Sequence, residues 1–220
     1  MSDMLEKVPG PHRGQPVLIA GEPIEQARAA MIMMHGRGAS AEDILGLAES
    51  FRQAGFVYLA PQAAGYTWYP NSFLAPIASN EPWLSSALGV IASLLERLEG
   101  HNIPAERTII LGFSQGACLL LEFVARHARR YGGVAGLSGG LIGPDGTSRD
   151  YPGSLEGTPV FLGCSDVDPH IPKARVLESA EILQGMGGVV TARLYPGMGH
   201  MVNLDEVRAV QGMMSALIEG

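Results

Sequence analysis

Short unbroken apolar runs alternate along this chain with longer stretches in which apolar residues recur at helical spacing. Residues 29–34 are apolar throughout, the pattern of a strand buried on both faces. Residues 16–20, 56–60, 108–113, 133–137, 159–164 and 189–195 read as further strands. Between them lie helix signals. Ser40 is placed to cap a helix, with Asp43 three residues on, Leu45, Ala48 and Phe51 at helical spacing, and Gly55 as its stop. Pro82 suits the first turn of a helix running to about Leu98, the stretch 114–129 is helical, and Pro172 opens another helix to about Met186. Asn203 with Glu206 reads as a capping box for a last helix. Residues 61–82 break this rhythm with prolines, aromatics and no clear period. Strands that alternate with helices of twelve or more residues need crossover connections, so the pattern predicts one α/β domain with a mainly parallel central sheet and helices on both faces. No linker or repeat divides residues 1–220, and 1–12 reads as a flexible N-terminal extension.

Composition changes this picture little. With 220 residues, 46% apolar and 17% charged, the chain can bury a sizeable core without a disulfide or metal to staple it. Its net charge of −7 argues against nucleic acid and against stable association with an anionic membrane. The two cysteines, Cys118 and Cys164, sit in apolar segments without a CxxC, which suits free buried thiols in a reducing compartment. The N-terminus shows no apolar signal-peptide core, and no apolar run approaches 18 residues. A cytoplasmic protein is expected. Its oligomeric state is open, a homodimer included.

The candidate chemistry starts at Gly112-Phe113-Ser114-Gln115-Gly116, which is G-x-S-x-G between a predicted strand and a predicted helix. A reversal that sharp strains the serine backbone and brings the helix N-terminus to the place where an oxyanion forms. Gly136-Leu137-Ser138-Gly139-Gly140 also fits the motif, but no periodic helix follows it, so Ser138 reads as a turn at a strand end. A nucleophilic serine needs a base, and the base needs an orienting acid. Downstream, His127 falls within the helix after Ser114 and His170 in the loop of the acid. His200 lies in the glycine-rich loop after the last strand, where the base should stand. The acid is expected in Asp166-Val167-Asp168, and spacing leaves both aspartates open, one facing the histidine and the other holding the turn. His35-Gly36-Arg37-Gly38 follows the strand 29–34 and could aim a backbone N–H of Arg37 at the space above Ser114, beside that of Gln115.

With those residues named, the chain resembles the phospholipase/carboxylesterase family of α/β-hydrolases from about Pro11 to Ile218. His35 to Gly38 matches the family's H-G-x-G, Gly112 to Gly116 its G-F-S-Q-G, residues 166–172 its D-x-D-P-x-V-P, and Gly199-His200 its G-H. The resemblance implies a single-domain hydrolase with no separate cap domain, makes Asp168 the triad acid over Asp166, and puts the Trp68-Tyr69 pair in the substrate-binding loop. The sequence departs from the family at Arg37, often an apolar residue, at Cys164-Ser165, often His-Gly, and at Pro70, where thioesterase members carry an acid. The expected activity is that of a serine esterase on short- to medium-chain carboxylic esters. Ser114, His200 and Asp168 would be its triad, and the Arg37 and Gln115 N–H groups its oxyanion hole. Gly36, Trp68, Tyr69, Phe73 and Leu74 would bind a small-molecule ester. No cofactor or metal is called for. Acyl-protein thioesterase or lysophospholipase activity is the alternative, and a catalytically silent binding protein on a hydrolase scaffold a remote one.

Overall fold

A computed structural model describes residues 3–6, 8–51 and 53–219. Among the described residues eight strands form one sheet in the order β1-β2-β4-β3-β5-β6-β7-β8. These are β1 (Asp3–Met4), β2 (Pro16–Gly21), β3 (Ala29–Met34), β4 (Phe56–Pro61), β5 (Thr108–Phe113), β6 (Gly133–Leu137), β7 (Pro159–Ser165) and β8 (Val189–Tyr195). The strands from β4 through β8 run parallel, and β1 and β2 add an antiparallel edge. Five helices cover the sheet: α1 (Ala41–Phe51), α2 (Trp83–Gly100), α3 (Gln115–Arg126), α4 (Lys173–Gly185) and α5 (Leu204–Glu219).

Strand β3 explains why the run 29–34 is apolar throughout. Successive side chains point to opposite faces, and both faces are covered. Ala30, Ile32 and Met34 join the core under α2, α3 and α4, whereas Ala29, Met31 and Met33 join the core under α1 and α5. All six residues are buried.

Most predicted elements are present with ends shifted by a residue or two, but three details differ. Helix α1 stops at Phe51, short of Gly55, which instead takes a φ of 85° in the turn into β4. Helix α3 ends at Arg126, where the pattern ran on to 129. The reading of 1–12 as a flexible extension is corrected where that stretch is described, residues 1, 2 and 7 lying outside. β1 pairs with Val17 and Pro16 of β2, Leu5 and Val8 are buried, and His12 has no exposed surface. Two apolar side chains and a buried imidazole tie the segment down, in a stretch too short for any period to announce it.

Strand order reverses around β3, with β4 on one side and β5 on the other. The C-terminal ends of parallel strands at such a reversal form the crevice where ligands bind in open α/β sheets. The turns after β3, β5 and β7 and the loop after β8 all open there.

Candidate active site

Ser114 sits between β5 and α3 with φ 54° and ψ −118°, the strained conformation expected of a strand-to-helix elbow. The flanking glycines allow the close approach. A Cβ at Gly112 would come within 2.6 Å of the Gly116 backbone, and one at Gly116 would collide with the Met34 carbonyl at the end of β3. His200 Nε2 lies 2.9 Å from Ser114 Oγ, and His200 Nδ1 lies 2.7 Å from Asp168 Oδ2. The Phe113 ring, 4.8 Å from the His200 ring, and His170, edge-on at 4.9 Å, hold the imidazole from two sides.

Asp168 does both jobs that spacing divided between two aspartates. Oδ2 faces His200 while Oδ1 accepts the backbone N–H groups of His170 at 2.8 Å and Ile171 at 3.0 Å. Burial opposes the charge on its carboxyl, but the bonds from His200 and the two amides outweigh it and hold the pKa below the ordinary carboxylate value. The Cys164 sulfur lies 3.8 Å from the same Oδ2, and burial pushes that thiol up to about 12, so it stays protonated. Asp166 does not close its own turn. Its Oδ1 accepts the Gly197 N–H at 2.8 Å and ties the loop of the acid to the loop that carries His200.

Ser138 provides the contrast. It too has positive φ, 51°, at the end of β6, but among the described residues no histidine bonds its buried Oγ and no helix follows directly. The loop beyond it is pinned by Arg175, which donates to the Leu141 and Gly143 carbonyls.

The backbone N–H groups of Arg37 and Gln115 find no acceptor among the described residues. For Arg37 the cause is local. The Gly36 carbonyl accepts from His35 Nδ1 at 2.7 Å and from the Ala39 N–H at 3.2 Å. In a trans peptide the N–H points opposite to the carbonyl, so fixing that carbonyl fixes the direction of the Arg37 N–H. His35 Nε2 accepts the Ala63 N–H at 3.1 Å, which sets the tautomer. Burial lowers the His35 pKa and keeps the ring neutral.

The substrate-loop residues divide. Tyr69 and Phe73 line the cleft above Ser114, a space of about 450 Å3 shared with Arg37, Ser72, His170 and Ile171. Trp68 does not. It is fully buried behind the turn that follows β3, its indole N–H donating to the His35 carbonyl at 2.8 Å and its ring 4.9 Å from the His35 ring. An indole with a partner at its N–H and an apolar enclosure is a packing residue, so its expected place in the substrate site is corrected. Leu74 likewise packs against the main core, and Gly36 packs against Ser114, where an added Cβ would lie 3.4 Å from the Ser114 Cβ, while also lining a recess of about 300 Å3 with Ala39, Ile44, Leu47, Phe113 and Val202.

Two side-chain roles had no sequence signal beyond the motifs themselves. The Gln115 amide accepts the Trp68 N–H at 2.9 Å and donates to the Tyr69 carbonyl at 2.8 Å. The Arg37 guanidinium donates to the carbonyls of Tyr69, Pro70 and Asn71 at 3.0, 2.7 and 2.6 Å. Together they clamp residues 67–71 against the elbow. Among the described residues no group of three or more His, Cys, Asp or Glu is gathered to hold a metal ion.

A hydrolase elbow on a doubly covered parallel sheet defines the class, and the comparisons give the family. The phospholipase/carboxylesterase family model matches residues 17–218, so the chain belongs to that family. A phospholipase/carboxylesterase structure from Dyadobacter fermentans is 40% identical, with a TM-score of 0.88 over 92% of this chain and 97% of that one. Esterase PE8, at 21% identity and a TM-score of 0.75, shares the fold. Acyl-protein thioesterase 1 of Debaryomyces hansenii is 26% identical over 205 residues, 82% of this chain and 88% of that protein. Acyl-protein thioesterase 1 of Gibberella zeae is 33% identical over 126 residues, so that match spans 53% of this chain and 52% of that protein. The chain is an α/β-hydrolase that acts on ester bonds.

Proposed function

We propose that this protein is a carboxylesterase that cleaves short- to medium-chain carboxylic esters through an acyl-enzyme on Ser114. Ser114 Oγ attacks the acyl carbon as His200 Nε2 takes its proton. The tetrahedral oxyanion is bound by the N–H groups of Arg37 and Gln115. As the alcohol leaves, His200 returns the proton to its oxygen, and Asp168 holds the tautomer and stabilises the imidazolium. Water then attacks the acyl-enzyme with the same base, releasing the acid and restoring Ser114.

The observation that carries this reading is the unbroken chain Ser114 Oγ, His200, Asp168 at 2.9 and 2.7 Å, facing two amides without acceptors. An intact set of this kind disfavours a silent binding scaffold. Two free, buried cysteines favour a reducing, cytoplasmic setting. Thioester or lysophospholipid cleavage is the second reading, favoured by the names of the fungal relatives. Labelling with a fluorophosphonate probe, located by mass spectrometry, tests the nucleophile: the adduct is expected on Ser114, and an adduct elsewhere, or none on the folded protein, refutes the assignment. Turnover of matched ester, thioester and lysophospholipid substrates separates the two readings.

A further inference from the structure

Among the described residues the one permanent charge lining the cleft above Ser114 is the Arg37 guanidinium. Arg37 and His170 stand in its wall, and no carboxylate lines it. Asp168 lies beneath, its side chain wholly covered and bonded to His200. Asp166 bonds across to Gly197. This stands against the balance of a chain whose net charge is −7.

The guanidinium is held in place but not neutralised. Its three acceptors are the backbone carbonyls of Tyr69, Pro70 and Asn71, and no carboxylate pairs with it among the described residues. A guanidinium has five N–H donors and a permanent charge, so donors remain for a ligand. Because the loop already fixes the side chain, little rotamer freedom is left to lose on binding an anion. His170 is presented in a similar way. Its backbone N–H is fixed by Asp168 Oδ1 and its ring is exposed, edge-on to His200, with no hydrogen-bond partner on either ring nitrogen among the described residues.

We propose that the ester this site cleaves carries an anionic substituent, a carboxylate or phosphate, received between the Arg37 guanidinium and the His170 imidazole. The proposal rests on the ester-hydrolase reading above and adds to it the charge of the substrate. An uncharged ester meets apolar lining such as Phe73, Tyr69 and Ile171. An anionic one also gains a fixed, solvent-exposed cation at the wall of the cleft, a contact that salt screens.

The test uses pairs of esters that differ in one charge. On the acyl side the pair is p-nitrophenyl hemisuccinate and p-nitrophenyl butyrate. On the leaving-group side it is 4-acetoxybenzoate and its methyl ester, with 4-acetoxyphenyl phosphate as the phosphate counterpart. Intrinsic reactivities differ within a pair, so the readout is how the anionic-to-neutral ratio of kcat/KM changes. For at least one pair the ratio is expected to fall about threefold to tenfold from low to high salt. It should fall by a similar factor in Arg37→Gln and in His170→Glu at low salt. The pair that responds shows which arm of the ester bears the anion, and the phosphate ester shows which anion fits better. Should Arg37→Gln fail to fold, His170→Glu and the salt series decide alone. Ratios insensitive to salt and to His170→Glu, with the neutral esters still cleaved, overturn this inference and leave the esterase reading standing. No turnover of any ester, together with no fluorophosphonate labelling, overturns both.

Discussion

Two serines in this chain occupy G-x-S-x-G motifs at strand ends with positive φ, and only the surroundings separate them. Ser114 has a helix behind it and His200 at 2.9 Å; Ser138 has neither. Ser114→Ala is therefore expected to lower kcat on p-nitrophenyl acetate by about 10⁴ to 10⁶, while Ser138→Ala keeps turnover within a few-fold. A dead, folded Ser138 variant would reverse the assignment. The two aspartates are ranked by the same reasoning. Asp168→Asn presents the wrong partner to His200 and should cost roughly 10⁴ in kcat. Asp166→Asn keeps an oxygen for Gly197 and should cost far less, and equal losses in two folded variants would refute the ranking. His35 adds a third case, acting through the Gly36 carbonyl rather than on substrate. His35→Ala is expected to lower kcat with little change in KM, by at most the 10²- to 10³-fold that loss of one oxyanion donor costs. A rise in KM at constant kcat would make His35 a substrate contact instead. Ser114 and His200 were legible as candidates because each lies at a strand end in a motif whose backbone chemistry is distinctive. The split of labour within Asp168 was not, since spacing says nothing of which carboxylate oxygen faces which donor.

The elements most readily read were those with a distinctive local signal, such as the unbroken apolar run of β3 and the capping box of α5, which forms as expected: Asn203 Oδ1 accepts the Glu206 N–H at 3.0 Å and Glu206 Oε2 accepts the Asn203 N–H at 2.8 Å. The loop 62–82 was illegible because polar clamps from distant positions hold it, not a pattern of its own. His12 Nδ1 accepts the Ala64 N–H and its Nε2 donates to the Trp68 carbonyl, while His35 accepts from Ala63. Burial lowers the pKa of both histidines from 6.5, so the folded state keeps them neutral after the unfolded chain has begun to bind protons. Stability should thus fall as pH drops below 6.5 toward the lowered folded values. Glu206 works in the opposite sense. Its carboxyl is buried against Gly163 with Oε1 unpartnered, and burial raises its pKa from 4.5 to about 7. The folded state holds that proton after the unfolded chain has lost it, so stability falls as pH rises from 4.5 to about 7, by a total on the order of 3 kcal/mol. The two windows overlap between pH 4.5 and 6.5, where the slopes oppose each other, so in urea midpoints Glu206→Gln should flatten the loss of stability above 6.5 and steepen the fall below it. Retention of the full high-pH slope in Glu206→Gln would exclude the carboxyl as its source.

At the scale of the whole molecule, the sheet supplies the strand ends and the loops after β3, β4 and β7 wall the cleft, so substrate range depends on which loop side chains face inward. The sequence offered an apolar set, Trp68, Tyr69, Phe73 and Leu74, without their directions. Trp68 and Leu74 pack on the core, leaving Phe73, Tyr69 and Ile171, with Pro70 and Cys118, as the apolar lining of a space of about 450 Å3. No described helix is long and apolar enough to cross a membrane, and the charge of −7 supplies no attraction to an anionic bilayer. Each methylene buried in such a cleft adds about 0.8 kcal/mol, or roughly a fourfold gain in kcat/KM. For p-nitrophenyl esters of increasing chain length, kcat/KM is therefore expected to rise over the first few carbons and then level once the chain reaches solvent. Phe73→Ala should lower the initial slope by removing the wall the chain packs on. Trp68→Ala should instead lower kcat for every chain length alike, because the indole supports the His35 carbonyl and the oxyanion loop rather than the acyl group. A rise continuing to the longest chains, or activation at a lipid interface, would reveal a deeper acyl channel than the residues around Ser114 enclose, and a slope changed by Trp68→Ala but not by Phe73→Ala would return the indole to the substrate.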